Sequence, residues 1–462
     1  MKEQVKETNF KVILIIYCLG LLIGGLFVGM VAPVRTVIQT GFGLDDSTGI
    51  WMINIYTLFY AALIPIIGKL ADKFGRNRIF SICILIFMTG AFICAISSYV
   101  IGFPLLLVGR VIQACGAGGM IPVANAEIGT SFPKEKRGLA LGIAAAVSGI
   151  SNVLGSGVGS LIVDLVGADN WNVMFFVAAP ICILLFILSK VFLKSNTTAE
   201  SGKMDFAGSV LFIVQVLMLL LGLKGLDFFN LKESIVQPTV WIPLVLAVVL
   251  MVVFLLVEKR ASDPVFHIEF LHSRPIVVTM IASFFIGCII IAMMLVPEYA
   301  EFIMDAPEGS GGYYMLAIGI TSMIGPPLGG KLVDKFGPKI VLISGLLLMV
   351  ASYSFLAFYV STFPSAVALI IGLALVGLGL GFAMGSPTNY MILENTSPKD
   401  STSAIASVAL VRQIGTTIAP AIFVGFITNN SGVVGYQQML MCIAVFCVLA
   451  IIVTLFYSPS KG

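Results

Sequence analysis

The chain alternates long apolar runs with short polar breaks. Runs of roughly 20 apolar residues recur from residue 12 to the C-terminal region, which is the length a helix needs to cross a bilayer. Helices satisfy their own backbone hydrogen bonds inside lipid, and the ten-residue alternation of a membrane barrel is absent. The pattern predicts fourteen spans, at approximately 12–38, 48–68, 79–99, 104–130, 138–165, 173–193, 206–226, 239–257, 276–302, 311–330, 339–360, 364–392, 401–427 and 436–457. The expected class is an all-α polytopic membrane protein.

Composition agrees, with 59% hydrophobic and 11% charged residues where a soluble domain carries about 25% charged. The net charge of +3 says little, but the placement of charge is informative. With the N-terminus inside, the inner segments hold 21 of the 26 lysines and arginines, and the outer segments hold only Arg35, Lys224 and Lys232. Basic residues accumulate on the cytoplasmic side, so both termini are expected there. The first apolar stretch is too long for a signal-peptide core and has no A-x-A-like site after it, so it is read as an uncleaved span. The eight cysteines lie within apolar segments, lack metal-ligand spacing, and read as small packing residues.

One polar loop is written twice. GKLADKFGRNR (68–78) returns as GKLVDKFGPK (330–339), with seven of ten aligned positions identical. The copies follow the second and tenth spans, which are equivalent once the central pair of spans is set aside. The expected organisation is therefore an N-terminal six-helix bundle (1–193), linkers and an inserted helix pair (194–275), and a C-terminal six-helix bundle (276–462). Parallel halves of this kind place a substrate site at their interface. The polar stretch 194–203 and the segment 257–275 are the linkers, and Phe266, Phe270 and Leu271 in the latter can share one apolar face of a short interfacial helix.

In physical terms Gly68 and Gly75 permit close helix packing and a turn. Asp72 sits at a helix end, where its carboxylate can meet a neighbouring helix N-terminus or an arginine such as Arg76. Gly330, Asp334 and Gly337 repeat these positions, while Arg76 becomes Pro338. Such contacts latch one conformation and break when helices slide apart. The thinner second copy is expected to be the weaker latch. Alternatively, the basic residues only set topology.

These loops resemble the loop between the second and third helices of the major facilitator superfamily. Arg110-Val-Ile-Gln113 resembles the R-x-x-Q-G signature of its proton-coupled members, with Ala114 in place of the glycine. PKEKRGLALG (133–142) is similar to the superfamily's next cytoplasmic loop. GISNVLGSGVGS (149–160) is similar to the antiporter signature G-x-x-x-G-P-x-x-G-G, keeping Gly149, Gly155 and Gly159 but with Ser156 and Ser160 at its proline and last glycine. Fourteen spans, DFAG at 205–208 and VEKRASDP at 257–264 resemble the drug:proton antiporter branch of tetracycline and quaternary-ammonium exporters. Span 1 departs from cation exporters of that branch, because it has no carboxylate and only Arg35 as a charge.

Charges inside the bilayer cost several kcal/mol and mark candidate functional sites. The resemblance implies a proton-coupling role for Arg110 with Gln113. The alternative is an arginine that caps backbone carbonyls within the bundle. Glu127 is either a proton site or a partner of the basic loops. Arg412-Gln413 echoes the polarity of Arg110 and Gln113 in the second half and can bind an anionic group or shape the cavity, or else Arg412 snorkels. Glu298 and Glu301, after Pro297, suit an outer gate or a proton entry site, with Glu298 the outer proton candidate and a solvated helix end the reading preferred for Glu301. Asn54, Tyr56, Asn125, Asn152, Asn389 and Tyr390 can line a cavity or bond helix to helix. His267 and His272 lie in the linker and do not suggest a metal. There is no G-x-x-x-x-G-K-[ST] loop to cradle phosphates, and no soluble catalytic domain.

The expected function is therefore non-enzymatic. The chain is read as a monomeric transporter of the bacterial inner membrane that exports small amphipathic compounds in exchange for protons, with no cofactor and no nucleic-acid partner. A proton-coupled carrier of a specific organic anion or metabolite is the alternative, motivated by Arg35, Arg110 and Arg412. A non-transporting membrane sensor is a third reading.

Overall fold

The computed structural model describes residues 2–193, 205–258, 268–306, 311–430 and 432–459. These residues form fourteen long helical segments: α1 (Lys2–Phe42), α2 (Trp51–Phe74), α3 (Arg76–Ile96), α4 (Phe103–Ser131), α5 (Lys134–Val166), α6 (Val173–Phe192), α7 (Phe206–Lys224), α8 (Pro238–Glu258), α9 (Arg274–Met304), α10 (Gly311–Phe336), α11 (Pro338–Val360), α12 (Ala366–Glu394), α13 (Ser401–Asn429) and α14 (Val433–Leu455). Among the described residues, thirteen are long and apolar enough to cross a membrane. The remaining predicted span, 138–165, lies within the 33-residue α5, which at 1.5 Å per residue is about 50 Å long.

The sequence explains where the helices bend and stop. Pro297 has no amide to donate, and a 3₁₀ turn at Ala292–Leu295 interrupts α9 just before it. Likewise α12 breaks between Met384 and Pro387. The connections after α2 and α10 each turn on one glycine in a left-handed conformation, Gly75 (φ +93°) and Gly337 (φ +84°). A side chain is strained there, so the second glycine of each loop copy is a backbone requirement.

The long helices before and after the inserted pair pack in the following pairs. In the first half α1 packs on α5, and α4 packs on α2 and α3. In the second, α9 packs on α13, while α12 receives α10 and α11. The halves meet along two seams, α5 with α10 and α2 with α13. Buried apolar residues gather into one cluster centred on the first half, which extends across the seam to Ile392 and Ile405, and another within residues 278–457.

The inserted pair α7–α8 rests on the second seam, with α7 against both α2 and α13. Its cluster joins Phe212, Val216 and Leu220 to Leu58 and Ala62 of α2 and Leu410 of α13. Its connecting loop adds Phe229, whose ring meets that of Phe426 at 5.0 Å in a T-shaped contact.

The linker expectation fares differently. Residues 194–203, Phe266 and His267 lie outside the described residues. Ile268–Leu271 is a 3₁₀ turn in which Phe270 is buried and Leu271 is exposed, so these two do not share an apolar face.

Candidate functional site

Both copies of the repeated loop close onto the opposite half at one face of the bundle. Asp72, near the end of α2, accepts hydrogen bonds from the backbone N–H groups of Thr402 (3.1 Å) and Ser403 (2.7 Å) and from the Ser403 hydroxyl (2.8 Å). These are first-turn amides of α13, which have no partner within their own helix. Asp334, near the end of α10, accepts from the N–H groups of Gly138 (2.6 Å) and Leu139 (2.9 Å) in α5. An anion at a helix N-terminus also meets the positive end of its dipole. One carboxylate from each half thus fastens a helix of the other.

Glycines let the paired helices approach closely enough for these bonds. A Cβ at Gly68 would lie 2.7 Å from Ala406 Cβ, and one at Gly330 would lie 2.2 Å from the Gly138 carbonyl oxygen. The two copies differ in their surroundings. Arg76 donates to Thr402 Oγ1 (2.8 Å), Thr130 Oγ1 (2.8 Å) and the Pro398 carbonyl (2.5 Å), and lies 3.3 Å from Asp72. Pro338 cannot do this, yet both Asp334 oxygens remain engaged. The second copy has lost an arginine but not its grip.

Glu127 belongs to this latch. It lies 3.6 Å from Arg76 and accepts from Ser131 Oγ at 2.8 Å. Arg110 is on the same helix, about 26 Å away along its axis, so the two do not form one cluster.

Arg110 is buried within the first half. Its Nε donates to the Met52 carbonyl (3.1 Å), its Nη1 to Gln113 Oε1 (2.6 Å), and its guanidinium stacks 4.0 Å from the centre of the Tyr56 ring. The carbonyl-capping reading describes this geometry well, and the cation–π contact adds to it. No described carboxylate forms an ion pair with it.

Beside Tyr56 a cavity of about 170 Å³ opens between α1, α2, α4, α5 and α13. Its wall includes Leu21, Val28, Thr57, Ile121, Ser148 and Gln413, with the stacked rings of Tyr56 and Tyr60 at 6.1 Å. Arg412 is an electrostatic neighbour of Tyr60 and donates from Nη2 to Thr388 Oγ1 at 3.1 Å. Its Nε is buried without a hydrogen-bond partner, and so is the Tyr56 hydroxyl.

The other expected site residues lie apart. Glu298 is exposed and accepts from the Tyr436 hydroxyl at 2.9 Å. Glu301 accepts the Gly311 N–H at 2.8 Å. Asn54 takes a hydrogen bond from Lys224 at the end of α7, which ties it to the inserted pair. Of the glycine signature, Gly155 and Gly159 face α1, where a Cβ would lie 2.3 Å from Leu26 O and 2.6 Å from Met30 O; a Cβ at Gly149 would meet nothing within 4 Å. Asn152 is in α5, but its side chain is outside the described residues.

Sequence reasoning singled out Gln413 with Arg412 but missed Tyr60 in the cavity wall, and it missed Thr402, Ser403, Gly138 and Leu139 as the donors to the two aspartates. The latch partners act through backbone amides, which any residue supplies, so no side-chain pattern marks them. Gln413 carried its signal as a polar residue beside Arg412 in an apolar helix.

Comparison with known proteins places this geometry in context. The sequence profile of the Major Facilitator Superfamily matches residues 17–420 and again 278–462. The chain is 32% identical to the uncharacterized MFS-type transporter YfiU of Bacillus subtilis (strain 168), covering 91% of this chain and 80% of that protein. It is 28% identical to the multidrug transporter protein MdtP of the same strain (93% and 77% covered) and 26% identical to the riboflavin transporter RibZ of Clostridioides difficile (strain 630) (96% and 97%). Among solved structures, the proton:xylose symporter XylE aligns with a TM-score of 0.69 at 15% identity, covering 99% of this chain and 98% of that one.

Proposed function

Since the chain belongs to the major facilitator superfamily, and is a transporter rather than an enzyme, we propose that it exports small amphipathic compounds in exchange for protons by alternating access. The observation that carries this reading is the pair of reciprocal latches. Asp72 holds the first turn of α13 and Asp334 the second turn of α5, and both lie on one face, beyond a cavity at the seam. Rocking of the halves must break both sets of bonds together. Hydrogen bonds to a charged group contribute about 1.5–3 kcal/mol each, enough to hold a state and few enough to be released by substrate or proton binding.

Several features support the finer points. The relative MdtP is named a multidrug transporter, and the arginine and lysine distribution supports a cytoplasmic latch face in a bacterial plasma membrane. Among the described residues no carboxylate lines the cavity, so the proton is assigned to carboxylates at the helix ends: Glu298 on the outer side, and Glu127 beside Arg76 on the inner side. In this cycle, protonation of Glu127 would loosen Arg76 from its acid partner and unfasten the first latch. The test is drug efflux from cells, and uptake into inverted membrane vesicles, under an imposed pH gradient. Proton-driven accumulation that fails in correctly inserted Glu127→Gln supports the assignment. Full activity without a gradient would reject it.

A further inference from the structure

The unspent hydrogen-bonding capacity around the cavity is mostly donor capacity. Arg412 Nε and Gln113 Nε2 are buried donors without acceptors, and the Tyr56 hydroxyl, also buried and unpartnered, can donate as well. Two cations lie next to lining residues without being part of the lining, Arg110 on the Tyr56 ring and Arg412 near Tyr60, and neither is ion-paired to a described carboxylate. Among the described residues the lining holds no aspartate or glutamate, and α1, which forms one wall, has none in its apolar stretch 12–38. A buried cation without a counter-charge is costly, and an incoming anion would relieve that cost. A substrate cation would aggravate it.

The cavity's shape narrows the class further. At about 170 Å³ it is smaller than the roughly 300–1,000 Å³ of drug-sized ligand sites, so a compact ligand suits this state. Tyr56 and Tyr60 lie nearly parallel, 12° apart, and both face the cavity. Flat aromatic surface in the wall and a guanidinium near Tyr60 fit a ring that carries an acidic group.

We infer that the cavity binds a small planar aromatic anion, its ring against Tyr56 and Tyr60 and its acidic group toward the Arg412 guanidinium. This rests on the exporter reading above and adds the charge of the cargo. Arg412 is then a binding residue in place of a snorkelling one, and its bond to Thr388 fixes the guanidinium for that role.

The experiment uses two permanently charged probes that share one ring system, 2-naphthalenesulfonate and 2-naphthyltrimethylammonium. Their binding to the full chain in detergent, and their gradient-driven uptake into proteoliposomes, are measured beside protein-free liposomes. The sulfonate is expected to bind and move at least ten-fold better than the ammonium. Arg412→Gln should abolish that preference, and Arg412→Lys, which keeps the charge, should retain part of it. Retained folding of both variants is checked by their thermal transitions. Preferential transport of the ammonium, or an unchanged sulfonate preference in Arg412→Gln, would overturn the inference and leave the exporter reading intact. Movement of neither probe, with none of a wider drug panel moved either, would overturn both.

Discussion

Asp334 takes the amide of Gly138 at 2.6 Å across the α5–α10 seam, as Asp72 takes that of Ser403 at 2.7 Å across the α2–α13 seam. Two carboxylates 262 positions apart in the sequence therefore perform the same operation on opposite sides of the bundle. Each also sits one turn beyond a glycine that a Cβ would force away from its partner helix.

Neutralising either carboxylate should favour opening of this face. Asparagine keeps one acceptor but loses the charge, which lowers each bond from about 1.5–3 to about 0.5–1.5 kcal/mol. Asp72→Asn and Asp334→Asn should each shift the closed-to-open ratio by about ten-fold or more, since 1.4 kcal/mol is a factor of ten. Hydrogen exchange at Gly138, Leu139, Thr402 and Ser403 reads this directly. Each single variant should expose its own pair of amides, and the double variant both. Unchanged protection in Asp334→Asn would show that the second copy does not hold the face closed.

The glycines of α5 give a sharper contrast. Gly155→Ala places a methyl group 2.3 Å from the Leu26 carbonyl oxygen, whereas Gly149→Ala meets nothing within 4 Å. Overpacking of a tight crossing costs about 1–3 kcal/mol, while replacing an interior helical glycine with alanine gains about 0.5–1 kcal/mol. Gly155→Ala should lower the thermal transition in detergent and Gly149→Ala should hold or raise it. Equal loss in both would mean that α1 and α5 do not pack as described.

Much of the architecture is legible in the sequence because lipid imposes it. Fourteen apolar runs, a repeated loop and a one-sided distribution of lysine and arginine leave few other arrangements. The positions that bond across the seams were marked in the sequence too, since Gly68, Asp72 and Gly75 recur as Gly330, Asp334 and Gly337. The site was less so. Grouping Arg110 with Glu127, Glu298 and Asn54 followed their polarity, yet the helices carry them to the first-half core, the latch, the Tyr436 contact and the inserted pair. Helix rotation and depth decide such groupings, and a single sequence of largely apolar helices carries little phase information. The second copy differs from the first in number of contacts, since Asp334 accepts two hydrogen bonds where Asp72 accepts three and has Arg76 beside it. Asp334 draws on backbone amides of α5 and does not need the missing arginine.

Arg110 should prove mainly a packing residue of the first half. It bridges α4 to α2 through the Met52 carbonyl and the Tyr56 face. Arg110→Ala removes both contacts and orphans the buried Gln113 Oε1, at about 1–3 kcal/mol for the unsatisfied group alone. Lysine lacks the planar fork needed to donate to the carbonyl and Gln113 while stacking. Both variants should therefore lower the thermal transition, alanine more than lysine. Tyr56→Phe, which keeps the ring, should leave the transition within a few tenths of a kcal/mol of parent. A stable Arg110→Ala protein with abolished proton dependence would instead assign Arg110 to coupling.

The inserted pair should restrain how far the halves can part. At one point Lys224 bonds Asn54 of α2, and a few residues on Phe229 packs against Gly425 and Phe426 of α13. Asp227 fixes the intervening loop by accepting from the Asn230 side chain (3.0 Å) and from the backbone N–H groups of Phe229 (2.9 Å) and Asn230 (3.2 Å). Those bonds, the Asn230 side chain first, hold the Asp227 carboxyl below the usual carboxylate range. A depressed value stabilises the loop at every pH above the unfolded carboxyl's own, about 3.9, and the effect is lost only as pH falls through the lower folded value. The tether should thus persist unchanged across neutral and mildly acidic pH. Phe229→Ala removes an aromatic contact worth about 0.5–1.5 kcal/mol beyond its area and should widen the distance distribution between spin labels on α2 and α13 near this loop. Coincident distributions in the variant and the parent, at pH 7 and pH 5 alike, would show that the pair packs on the seam without restraining it.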